Sequence, residues 1–108
     1  MNEKVKFEID EIVKSIKNEI PTNEIILFGS QSNGTATADS DIDLCIITKD
    51  DKERKLDKIR RIRKKISSFI TMPVDILVYD KEEFEERAML NSTFEFKLKN
   101  EGIKVYEQ

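Results

Sequence analysis

The chain contains no histidine and no tryptophan, and it has a single cysteine among its 108 residues. One cysteine allows no internal disulfide, and a catalytic thiol is not expected because no histidine is present to activate it. We therefore interpret Cys45 as a small buried hydrophobe. No hydrophobic run approaches the length of a membrane span and no secretory signal is visible, so we expect a cytoplasmic protein without a membrane partner.

Charged residues are abundant, but the two signs are nearly balanced. Asp and Glu number 22 against 19 Lys and Arg, which gives a formal net charge of −3. Because binding to a nucleic-acid backbone relies on a basic excess, direct nucleic-acid binding is not expected. The charge is unevenly spread, with a basic segment at 55–65 and an acidic segment at 82–86. These segments are either solvated helix faces with internal charge pairing or docking surfaces for an oppositely charged protein.

The spacing of hydrophobic residues predicts an α/β chain of the α+β type, folded as a single domain over residues 1–108. Asp80 and Ser92 each precede a glutamate by three residues, as in a helix capping box. Gly34, in a left-handed conformation, and Gly102 are predicted to end two of the helices. The predicted helices cover 3–19, 51–69, 81–90 and 93–100. The predicted strands cover 24–28, 41–48 and 74–79, with a turn and short helix at 29–33, a loop at 35–40 and a terminal strand or extended tail at 103–106.

The most informative segment joins a glycine-serine pair to two aspartates. Gly29 and Ser30 follow one apolar run, and after ten intervening residues Asp41 and Asp43 open a second apolar run. Glycine lets phosphate groups approach the turn closely, and free backbone N–H groups at a helix start can hold phosphate oxygens. Residues two apart in a strand point to the same face, so the two carboxylates can share a hard cation. The pattern predicts phosphoryl chemistry on metal ions.

This spacing of Gly-Ser and Asp-x-Asp is the signature of the polymerase-beta-like nucleotidyltransferases. The chain resembles the minimal nucleotidyltransferase branch of that superfamily, closely over about residues 20–80. The resemblance implies the polymerase-beta-like fold, a small mixed sheet with helices packed on one face. It also implies a third carboxylate on a neighbouring strand, and Asp75 is the matching position here. Asp41, Asp43 and Asp75 are thus the implied metal ligands and catalytic residues.

The resemblance also implies a reaction. Two Mg²⁺ ions and ATP are the expected cofactor and substrate, with the ions held by Asp41, Asp43 and Asp75. Gly29 and Ser30 are expected to bind the nucleotide by its outer phosphates. Asp75 is expected to orient or deprotonate the incoming hydroxyl while pyrophosphate leaves.

The turn itself departs from the pattern of the family. Many members have arginine or lysine just after the Gly-Ser pair, where this chain has Gln31, Ser32 and Asn33. Metal ions and backbone N–H groups can still carry the charge of a triphosphate. The departure therefore predicts weakened nucleotide binding and not an inactive enzyme.

Three acceptors or modes of action are compatible with the sequence. Minimal nucleotidyltransferases of this size resemble the antitoxin half of toxin–antitoxin pairs, which implies a HEPN-domain ribonuclease toxin as partner and transfer of AMP to one of its tyrosines. The first alternative is transfer to a small hydroxyl compound such as an aminoglycoside. The second is a catalytically weak antitoxin that neutralises its partner by binding alone. A homo-oligomer or hetero-oligomer is compatible with each.

Overall fold

The computed structural model describes residues 3–34, 36, 40–49 and 52–108. Within these residues the chain forms five helices and four strands. In chain order they are α1 (Glu3–Glu19), β1 (Thr22–Phe28), α2 (Ser30–Asn33), β2 (Ile42–Thr48), α3 (Lys55–Ile66), β3 (Val74–Asp80), α4 (Lys81–Ala88), α5 (Phe94–Glu101) and β4 (Ile103–Glu107). None of the helices in these ranges is long and apolar enough to cross a membrane.

The four strands form one mixed sheet in the order β3-β2-β1-β4. Strands β2 and β3 run parallel, and β1 is antiparallel to both β2 and β4. A parallel pair needs a crossover connection, and α3 provides it between β2 and β3. The expected mixed sheet is confirmed, and the segment 103–106, left open as strand or tail, belongs to a paired strand.

One face of the sheet packs against α1 and α3. The apolar positions of α1 recur at helical spacing, so that Ile12 and Ile16 are fully buried against the sheet. In α3, Ile62 and Ile66 are buried in the same way, and Leu44 of β2 lies in the same cluster. This face contains the larger hydrophobic core.

The other face of the sheet is covered by α4 and α5. Cys45 and Ile47 of β2 pack there with Phe84 of α4 and Leu98 of α5. The expectation that helices pack on one face only is therefore wrong in this detail. The reason is that β2 is apolar on both faces, and its second face also needs cover. Cys45 is fully buried, as expected, and burial raises the pKa of its thiol to about 12.

Most predicted boundaries agree with the structure to within two residues, and α3 is the main exception. It was predicted over 51–69 but begins at Lys55 and ends at Ile66. At its end the hydroxyl of Ser67 donates a hydrogen bond to the carbonyl oxygen of Lys64 at 3.0 Å, which competes with continued helical bonding. Residue 51 and most of the predicted loop at 35–40 lie outside the described residues.

The predicted capping boxes are only partly present. Thr93, not Ser92, is the N-cap of α5, and its hydroxyl accepts a hydrogen bond from the backbone N–H of Phe96 at 3.1 Å. Asp80 is the N-cap of α4, as expected, but its side chain makes no capping hydrogen bond. Gly102 ends α5, as predicted, and its N–H donates to the carbonyl oxygen of Leu98 at 2.9 Å.

Candidate active site

The three predicted carboxylates meet at one edge of the sheet. Asp43 and Asp75 are register partners near the starts of the parallel strands β2 and β3, and Asp41 directly precedes β2. One carboxylate oxygen from each of the three lies within 4.8 Å of the others. Their neighbours Ile42 and Val74 are buried in the larger core, so alternation along the strands directs Asp43 and Asp75 to the opposite face.

The crowding of carboxylates changes the acidity of Asp43. Its pKa is raised from an ordinary 3.8 to about 6, first by burial, then by a hydrogen bond with Asp75 and by the charges of Asp75 and Asp41. Carboxylates this close repel one another when all are ionised. A bound cation would relieve that repulsion.

The donor set fits a hard divalent cation. All three ligands are carboxylate oxygens, which Mg²⁺ prefers in proteins. Asp41 and Asp43 are half-buried whereas Asp75 is exposed, so the cluster is anchored in the sheet and open on one side. Asp41, Asp43 and Asp75 are therefore the residues that could hold a metal ion.

Gly29 lies directly against this cluster. Its backbone has φ 74° and ψ −158°, a conformation that side-chain-bearing residues essentially never adopt. A Cβ atom at this position would lie 2.3 Å from Oδ2 of Asp43, so a larger residue would also require that carboxylate to shift. Its carbonyl oxygen accepts hydrogen bonds from the hydroxyl of Ser32 at 2.7 Å and from the Ser32 N–H at 3.0 Å. The turn is thereby fixed beside the carboxylates.

The short helix α2 begins immediately after this glycine. Gly29 is its N-cap and Ser30 is its first residue, so Ser30 does not occupy the capping position that a serine commonly takes. Gly34 ends the helix at φ 80°, in the left-handed conformation expected of it. The predicted nucleotide-binding pair thus lies at the start of α2, next to Asp43.

A cavity of about 290 Å³ opens beside Gly29, between α2 and α5. Phe28, the cross-strand partner of Asp43, forms part of its wall, and the ring of Phe94 packs edge-on against the ring of Phe28 at 5.7 Å. Sequence reasoning missed this cavity. Phe94, in its wall, is 47% exposed, and no local pattern in the sequence indicates that Lys97 lies near the turn.

A protein-family comparison decides the identity of the chain. The model of the family described as "Nucleotidyltransferase domain" matches residues 9–105. The chain belongs to this nucleotidyltransferase family. No curated protein matches the sequence.

Solved structures share the nucleotidyltransferase fold at low sequence identity. A candidate nucleotidyltransferase from Sulfolobus solfataricus aligns with a TM-score of 0.62 at 22% identity, over 94% of this chain and 78% of that one. A toxin–antitoxin structure with AMP-PNP aligns with a TM-score of 0.61 at 21% identity, over 92% of this chain and 73% of that one. A mutant of the toxin–antitoxin MntA-HpeT has two aspartates changed to glutamate. It aligns with a TM-score of 0.63 at 20% identity, over 92% of this chain and 73% of that one. At these identities the likeness shows the fold alone.

Proposed function

We propose that this nucleotidyltransferase domain transfers AMP from ATP to a hydroxyl group, and that the acceptor is a tyrosine of a HEPN-domain ribonuclease toxin. The chain would then be the antitoxin of a toxin–antitoxin pair. Since ATP is the donor, we propose that it acts in the cytoplasm, in a complex with its partner.

One observation carries the chemical part of this proposal. One carboxylate oxygen from each of three residues, Asp41, Asp43 and Asp75, lies within 4.8 Å of the others. Burial and the two neighbouring carboxylates raise the pKa of Asp43. Three unneutralised acids are costly to hold together, which favours a site built for cations. Two Mg²⁺ ions, when bound by these residues, would neutralise charge on the triphosphate and lower the pKa of the acceptor hydroxyl.

Other roles in the proposed reaction fall to individual residues of the site. In this proposal Asp75, the most exposed of the three acids, orients the acceptor hydroxyl and takes its proton. The hydroxyl oxygen then forms a bond to the α-phosphorus, and the bond from that phosphorus to the outer phosphates breaks, releasing pyrophosphate. We propose that Gly29 and Ser30 hold those outer phosphates by the backbone of the turn.

Two of the similar structures support the choice of a toxin as partner. Both are toxin–antitoxin structures, and one of them contains AMP-PNP, an ATP analogue. The mutant form has its two substituted aspartates two positions apart, which is also the spacing of Asp41 and Asp43 here. The HEPN identity of the partner rests on the resemblance of the sequence to minimal nucleotidyltransferases.

The proposal is tested by incubating the purified chain with ATP labelled at the α-phosphate, Mg²⁺ and the HEPN-domain protein encoded beside it. Label should appear on a tyrosine of that protein and its ribonuclease activity should fall. An Asp41→Asn/Asp43→Asn double variant should transfer no label. Asp10→Asn, which changes an exposed aspartate on α1, is the matched control and should transfer normally.

Other outcomes would overturn the proposed acceptor. Label found only on small hydroxyl compounds offered in the same reaction would assign the chain to small-molecule modification. Ribonuclease inhibition that persists without ATP, and in the double variant, would assign it to inhibition by binding alone.

A further inference from the structure

The cavity beside Gly29 is lined by a lysine, whereas the turn itself has no basic residue. Residues 29–34 include no lysine or arginine. Of the described residues that line the cavity, Lys97 of α5 is the only one with a positive charge, and Gly29, Ser32 and Asn33 of the turn line the same cavity. A positive side chain from a distant part of the sequence therefore shares a cavity with the turn.

The cavity also adjoins the carboxylate cluster. Gly29 is in its wall, and the space that a Cβ of Gly29 would need is taken by the carboxylate of Asp43. A triphosphate whose α-phosphate lies at the acids would extend past Gly29 toward this cavity. That path rests on the proposed function, and it leads the outer phosphates toward Lys97.

We propose that Lys97 is a further binding residue for this nucleotide, and that from the cavity it contacts the β- and γ-phosphates held beside Gly29. A lysine ammonium is a compact charge on a flexible stem with three donors, which suits a phosphate that can be approached from several directions. Lys97 is exposed in the structure, so it can reach this position without leaving a buried partner. It supplies from α5 the positive charge that Gln31, Ser32 and Asn33 do not.

The rest of the cavity lining would also suit a different part of the nucleotide. Phe28, Phe94 and Leu98 are apolar, and Glu101 is acidic, so a nucleobase is the competing occupant. The two occupants make different demands on Lys97. A contact with the outer phosphates matters only for ligands that have them, whereas a contact with the base matters for any adenine nucleotide.

Three variants of the full chain and three ligands separate these cases. Lys97→Ala removes the charge and Lys97→Arg retains it. Lys99→Ala is the matched control, because Lys99 is an exposed lysine two residues on and lies on a different side of α5. Binding in the presence of Mg²⁺ is measured by calorimetry for ATP, for inorganic tripolyphosphate and for AMP, which lacks the outer phosphates.

We expect Lys97→Ala to weaken binding of ATP and tripolyphosphate by about 10- to 100-fold, the usual range for losing a hydrogen bond to a charged group. Binding of AMP should be unchanged, Lys97→Arg should retain most of the affinity, and Lys99→Ala should match the wild type. Unchanged ATP binding by Lys97→Ala would overturn the inference, and so would an equal loss for AMP. A wild-type chain that binds neither ATP nor tripolyphosphate would overturn the proposed function together with it.

Discussion

At the scale of single residues, the site depends on close contact between a glycine and a carboxylate. The Cα of Gly29 approaches Asp43 so closely that a Cβ atom at this position would require the carboxylate to shift. Gly34, the other positive-φ residue described, has nothing within 4 Å of where its Cβ would lie. The two glycines of the same turn therefore differ both in backbone conformation and in steric contact.

Gly29→Ala should destabilise the protein more than Gly34→Ala. Alanine at Gly34 suffers only the left-handed conformation, a cost of about 1–2 kcal/mol. Alanine at Gly29 combines a glycine-only conformation with a clash against Asp43, and we expect a loss above about 2 kcal/mol. Urea unfolding of both variants measures the difference, and equal losses would contradict this order.

The raised pKa of Asp43 makes the stability of the metal-free protein depend on pH. Its folded pKa of about 6 lies above the ordinary value of 3.8. Between these values the folded protein keeps a proton that the unfolded chain has lost, so stability falls as the pH rises across this window. Above about pH 6 the ionised carboxylate destabilises the fold unless a cation is present.

Asp43→Asn should therefore raise the melting temperature in EDTA at about pH 7.5, and the gain should shrink toward zero near pH 4. Asparagine has the shape of the protonated acid and no charge to repel its neighbours. Adding Mg²⁺ should stabilise the wild type more than the variant. Thermal unfolding across the pH series checks both effects, and a variant less stable than wild type at every pH would contradict the electrostatic account.

Asp75→Asn should separate binding from chemistry. In the proposed mechanism Asp41 and Asp43 still hold the metal-nucleotide whereas the acceptor hydroxyl loses its base, so we expect the rate of transfer to fall about 10²- to 10⁴-fold. Single-turnover transfer and calorimetric ATP binding measure the two effects. A variant that loses ATP affinity while bound nucleotide reacts at the normal rate would make Asp75 a binding residue.

At the scale of elements, α3 shows where sequence patterning fails. Its spacing places Leu56 on the apolar face and its lysines in solvent, yet Leu56 is 61% exposed and Lys58 is 1% exposed. The ammonium of Lys58 donates to the hydroxyl of Thr48 at 3.2 Å and lies 3.7 Å from a carboxylate oxygen of Asp80. These polar partners lie at the ends of two other strands, where no local pattern could have indicated them.

Lys58→Ala should consequently cost far more stability than Leu56→Ala. Removing the buried lysine leaves a cavity and breaks its hydrogen bond to Thr48, and we expect a loss of about 2–4 kcal/mol. Truncating the exposed leucine should change stability by no more than about 0.5 kcal/mol. Denaturant unfolding of both variants tests this order, which is the reverse of what hydropathy alone predicts.

Elements with a strong local pattern were predictable from the sequence. The helix over 3–19 agrees at both ends because its isoleucines recur at helical spacing and Pro21 follows. The spacing of Asp41 and Asp43 likewise predicted a shared site. Three features depend on distant partners and were not predictable from the sequence. They are the packing of α4 and α5 on the second face of the sheet, the full length of β1, and the position of Lys97 beside the turn. The pairing of Asp43 with Asp75 was implied only by resemblance.

At the scale of the whole molecule, the basic segment at 55–65 is largely paired with acidic side chains from other elements. Arg61 contacts Glu19 of α1 at 3.1 Å, and Lys65 lies 3.8 Å from the same carboxylate. Lys55 forms an ion pair with Glu83, which belongs to the acidic segment. Such exposed pairs contribute little to stability. They favour internal charge pairing for the basic segment, and docking of a partner at either segment stays a prediction.

The central claim for the molecule is that Asp41, Asp43 and Asp75 form one cation site that holds a metal-nucleotide. Binding of Mn²⁺-ATP, followed by the enhancement of water proton relaxation, tests it most directly. The wild type and the Asp10→Asn control should bind alike, whereas Asp41→Asn/Asp43→Asn should weaken binding by at least about 100-fold. Binding of Mn²⁺-ATP by the double variant at wild-type strength would contradict the account.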